Sequence, residues 1–116
     1  MPQSVSAAVD PEEAFVASLS SCHMLWFLSI ACSRGLVVET YRDEASGRLA
    51  KDDSGKFAMA RVTLRPEVRF GADRQPRAAE VMAMHDEAHE RCFIARSVKS
   101  EVVCEPSGLR RSEKGT

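Results

Sequence analysis

The residues of this 116-residue chain best suited to nucleophilic or redox chemistry are four cysteines, at positions 22, 32, 92 and 104. The reactive form of a cysteine is the thiolate, and whether it forms depends on the surroundings. Cys22 falls inside an apolar segment, with Phe15, Ser18, Trp26 and Ser29 on its own helical face. Such a wall disfavours a charged sulfur, and mid-helix there is none of the help that a helix N-terminus gives. Taken alone, Cys22 reads as a small core residue that needs a cation from elsewhere to react. Cys92 follows a second helical segment, in AHERCFIARSV. Each of these two cysteines sits on an element expected to touch the core, and a bond between them needs Cα atoms only about 5.5 Å apart. Cys32, ten residues further along the first helix, is about 15 Å from Cys22 and outside disulfide reach. Cys104 reads as a core or edge residue of a last strand. With no export signal and no close CxxC pair, all four are expected to be reduced thiols. His85, His89 and Cys92 have spacings that could hold a metal. However, the string is HDEAH and not HExxH, and no fourth ligand is evident, so no metal and no cofactor is expected.

The elements that must position these groups follow from the pattern. Asp10 can cap a helix whose first turn is Pro11, Glu12 and Glu13, with Glu13 completing a D-x-x-E capping box. The helix should stop at Gly35, after about 24 residues and roughly 36 Å. Its apolar residues point in most directions, so it must be surrounded, in part by a second subunit. Leu36 to Leu49 is expected as one strand, residues 51–55 as a turn, and Phe57 to Phe70 as a second strand, with Pro66 marking an edge or a bulge. Arg61, Arg65 and Arg69 alternate along a face that should be solvated. A helix from Asp73–Pro76 to near Arg91 would bury Ala78, Val81, Met82, His85 and Ala88. A helical turn at Cys92 to Ser97 and a strand near Val98 to Cys104 complete an α+β order. This is a thin sheet for so apolar a helix, so further strands are expected from a partner chain or from a missing start.

Composition bounds the partners. The length suits a single domain, 1–116, whose ends 1–9 and 107–116 should be mobile. Sixteen basic against seventeen acidic side chains give a net charge of −1, too little positive charge for non-specific nucleic-acid binding. The apolar run Ala14 to Cys32 has the length of a membrane span. It is interrupted by Ser18, Ser20, Ser21, His23 and Ser29 and preceded by Asp10, Glu12 and Glu13, so the expectation is a cytoplasmic protein with no membrane partner.

The string DPEEAFVASLSSCHMLWFL, followed about seventy residues later by HDEAHERCFIARSV, resembles the osmotically inducible protein C / organic hydroperoxide resistance (OsmC/Ohr) family. Glu12 and Cys22 have the spacing of that family's [ND]-P-E-[EQ] helix start and first cysteine, and Cys92 falls in the place of its second. The resemblance spans about Val9 to Pro106. It implies an intertwined α+β homodimer: a long buried central helix with antiparallel strands and a second helix. It also implies a thiol peroxidase in which Cys22 attacks an organic hydroperoxide and Cys92 resolves the sulfenic acid as a disulfide, reopened by a lipoyl-type dithiol. Phe15, Leu19 and Trp26 would wall the substrate pocket. Glu12 would orient a thiolate-stabilising arginine, and its distance from Cys22 along the helix suggests that it serves the partner's site. In the family that arginine comes from strands preceding the helix. Only nine residues stand there in this chain, which implies a shortened member or a fragment, or that Arg91 or Arg96 takes the role. The alternative reading is a non-enzymatic dimeric module that binds or senses redox state with the same two thiols.

Overall fold

The computed structural model describes residues 10–108. Helix α1 runs Pro11–Ser33 and opens with the expected capping box, in which the Asp10 side chain accepts from the Glu13 N–H at 2.7 Å and Glu13 accepts from the Asp10 N–H at 3.3 Å. It closes where glycine is required. Gly35 adopts φ +75, its N–H donates to the Cys32 carbonyl at 3.0 Å, and the Leu36 N–H reaches back to Ala31 at 2.9 Å. That pair of bonds satisfies the last helical carbonyls. α1 is long and apolar enough to cross a membrane. The chain itself buries one stripe of it, Leu19, His23, Phe27, Ile30 and Ala31, while Leu25 stays 61% exposed.

The two long strands expected from the sequence are each broken in two. β1 (Val38–Asp43) and β2 (Ser46–Lys51) take the place of the first, and β3 (Phe57–Leu64) and β4 (Pro66–Phe70) that of the second. The breaks lie opposite each other. β1 pairs antiparallel with β4, ending at Asp43 beside Pro66, and β2 pairs antiparallel with β3, starting at Ser46 beside Thr63. Pro66 has no N–H to give a ladder. At the same joint the Arg65 N–H leaves the sheet to donate to Asp43 Oδ1 at 2.7 Å. One hairpin therefore contributes to two sheets. Its tip turns at Gly55, φ +83, where Asp52 accepts from the Ser54 and Lys56 N–H groups. β5 (Glu101–Cys104) then joins β3 in parallel, giving sheets of order β1-β4 and β2-β3-β5. Two-residue alternation fails at the end of β3, where Val62, Thr63 and Leu64 are all buried, Val62 and Leu64 against Leu19 of α1.

Helix α2 (Ala78–Arg91) starts later than expected, and it buries Met84 where the sequence pointed to Met82. Met84 lies between Val81 and Ala88 at three- and four-residue spacing, so it falls inside the stripe that packs on Phe27, Ile30 and Ala31. The helical turn α3 (Phe93–Ser97) follows directly. Of the two ends expected to be mobile, 1–9 and 109–116 lie outside the described residues. Ser107 is held, its N–H donating to the Pro66 carbonyl at 2.9 Å.

Candidate functional site

Cys92 is both the C-cap of α2 and the N-cap of α3. At φ −70, ψ 110 it breaks the helix and turns its sulfur inward, where Sγ accepts from the Ala95 N–H at 3.5 Å. Cys22, mid-α1, is half-buried, and its thiol neighbours that of Cys92 closely enough to act on it. All four cysteines are free thiols. Burial, and then the neighbouring Cys22 thiol, push the Cys92 thiol up to about 11. It is therefore protonated at neutral pH and can donate to the Cys22 sulfur.

Cys22 opens onto a hollow of about 340 Å³, lined also by Leu25, Trp26, Ser29 and Phe93. Trp26 meets Phe93 edge-on at 5.8 Å, and the Arg91 guanidinium lies over the Trp26 ring at 5.6 Å while pairing with Glu87 at 3.0 Å. Of the three residues assigned to the pocket from sequence, only Trp26 lines this hollow. Leu19 is wholly buried against Val62 and Leu64, and Phe15 packs on the same cluster. Both lie closer to the N-terminus of α1, and the helix carries them into the core. Leu25 and Phe93 were missed because exposed apolar residues carry no periodic signal. Glu12 is ten residues from Cys22 along α1 and lines a separate hollow of about 650 Å³ with Ser20, Asp43, Ser46 and Met59. Arg61 pairs with Glu101 at 2.9 Å on the surface.

The sequence singled out His85, His89 and Cys92 as conceivable ligands. The fold gathers a different set. His23 on α1, His85 on α2 and Cys104 on β5 bring their ligand atoms within 4.8 Å of one another, and both histidines are buried. His23 Nε2 lies 2.9 Å from His85 Nδ1 and 3.6 Å from Cys104 Sγ. A signal for this was present: His23 stands at four-residue spacing between Leu19 and Phe27, inside the buried stripe of α1. Cys92 instead faces Cys22.

A capped helix presenting one thiol and a helix junction presenting a second, framed by two small sheets, define an α+β domain with a dithiol site. Residues 4–107 match the OsmC-like protein family, and the chain belongs to it. It is 54% identical to an OsmC-like protein of unknown function from Vibrio cholerae O1 biovar eltor, with a TM-score of 0.84 over 86% of this chain and 65% of that one. The chain thus spans less than two thirds of that relative. The fold is shared with the OsmC-like protein of Mycoplasma pneumoniae at 13% identity, TM-score 0.77, over 95% of this chain and 79% of that one. It is shared also with the organic hydroperoxide resistance protein OhrB of Bacillus subtilis at 23% identity, TM-score 0.69, over 92% and 78%. No curated protein matches.

Proposed function

We propose that the chain is a cysteine-based peroxidase for organic hydroperoxides, working as a homodimer. The observation that carries this reading is the approach of the Cys22 and Cys92 thiols beside an open apolar hollow. The Cys22 thiolate attacks the terminal oxygen of the hydroperoxide. The O–O bond breaks, the alcohol leaves with a proton, and Cys22 becomes a sulfenic acid. Cys92 sulfur then attacks Cys22 sulfur, its proton leaving with the hydroxyl as water, and a disulfide forms. A lipoyl-type dithiol reopens it by exchange. Trp26, Leu25 and Phe93 favour an alkyl or acyl chain over hydrogen peroxide, since burying apolar surface stabilises by about 25 cal/mol per Å². A second copy closes the exposed side of the hollow. Glu12, remote from its own Cys22, reaches the partner's site and orients a cation there. Arg91, already over Trp26, is the residue on this wall suited to supply positive charge.

The test is consumption of an organic hydroperoxide with dihydrolipoamide as donor. Cys22→Ser should lose turnover, and Cys92→Ser should stop after one equivalent while its sulfenic acid accumulates. A Cys22→Ser protein as fast as wild type would sink the reading. Arg91's engagement by Glu87 favours a second reading, a redox-sensing module. In that case wild type would form the disulfide once and not turn over.

A further inference from the structure

The cluster of His23, His85 and Cys104 takes no part in the chemistry above. It draws one residue from each of three elements, α1, α2 and β5, and sits in the core. Two imidazoles and a thiol are an unusual core filling. A buried polar group without a partner is costly, and here the outward nitrogens, His23 Nδ1 and His85 Nε2, are both buried without a hydrogen-bond partner among the described residues. The inward atoms converge. The imidazole planes lie within 9° of each other, and Phe27 stacks on His85 at 4.2 Å, holding its ring.

We propose that His23 Nε2, His85 Nδ1 and Cys104 Sγ form a binding site for a soft monovalent cation, Cu⁺. Metal–nitrogen bonds of about 2.0 Å and metal–sulfur bonds of about 2.3 Å, at angles between tetrahedral and trigonal, set N···S at roughly 3.5–3.8 Å and N···N at roughly 3.3–3.6 Å. The sulfur already stands at 3.6 Å from His23, and the two ring nitrogens, at 2.9 Å, need to part by only about half an ångström. Thiolate and imidazole are ligands that soft metals favour. The charge follows from burial. Both imidazoles are buried and meet the metal as neutral ligands. One thiolate and one Cu⁺ then sum to zero in the core, whereas a divalent ion would leave an uncompensated charge there. Asp43, held by the Ser20 hydroxyl and the Arg65 N–H, stays outside the ligand set. The Cys104 thiol gives its proton to solvent as the metal binds.

The test uses Cys22→Ser/Cys32→Ser/Cys92→Ser protein, so that Cys104 is its one thiol. Titrated with Cu⁺ against a chromogenic Cu⁺ chelator, it should retain one equivalent. Cys104→Ser in that background should abolish retention, and His85→Gln should weaken it by at least about tenfold. X-ray absorption of the loaded protein should show one sulfur and two nitrogens, a readout that survives if a core variant fails to fold. No retained Cu⁺, retention unchanged in Cys104→Ser, or a coordination shell without sulfur would overturn the proposal. Equal affinity for Zn²⁺ at the same three residues would overturn the choice of a monovalent ion.

Discussion

The thiols that face each other differ in what the fold does to them. Cys92 is raised from an ordinary value of 9.0 to about 11, first by burial and then by the neighbouring Cys22 thiol. A group raised on folding contributes stability that is complete below its unfolded value and is lost as pH climbs through the folded one. The cost of ionising Cys92 therefore falls between about pH 9 and 11. Cysteine Cβ shifts followed by NMR should give a Cys92 midpoint near 11 in the wild type, and one moved toward 9 in Cys22→Ala. An unmoved midpoint would mean that the two sulfurs do not communicate. At this scale the sequence carried the pair through motif spacing alone, because a contact across about seventy residues leaves no local trace. The partner of His23 was hidden for the same reason: β5 brings Cys104 to it from eighty-one residues away.

Among the elements, the break in the hairpin matters most for placing the site. Its hydropathy alternation reads straight through Leu64-Arg65-Pro66, which is why the sequence suggests one strand where there are two. What periodicity cannot register is a side chain substituting for a ladder, as Asp43 does by bonding the Arg65 N–H and the Ser20 hydroxyl. Hydrogen bonds to a charged group contribute about 1.5–3 kcal/mol, so Asp43→Ala should lose roughly that much in urea unfolding, and Asp43→Asn less. The ends of α1 were legible because caps are local chemistry. Gly35→Ala, forced to positive φ, should cost about 1 kcal/mol, read from the same unfolding curves. The face of α2 was legible at Ala78, Val81, His85 and Ala88; the sequence points to Met82 in place of Met84, since the two are chemically alike and only packing distinguishes them.

For the whole molecule, the side of α1 that the chain leaves bare bears on assembly. Leu25 at 61% and Phe93 at 69% exposure flank Cys22 and form part of an apolar wall of the kind that marks protein contacts. Sedimentation should give a dimer for the wild type. Leu25→Glu should shift it to monomer and depress peroxidase turnover together, whereas a substitution on the solvated strand face, Arg61→Gln, should leave both unchanged. The parallel placement of β5 beside β3 has a consequence for how the polypeptide emerges from the ribosome. The sheet that covers Leu19 and His23 lacks its third member until the stretch ending at Cys104 has cleared the exit tunnel, so synthesis of nearly the entire domain precedes its closure. Nascent chains stalled just short of that point should expose apolar surface and engage holding chaperones, and release of a few more residues should end that engagement.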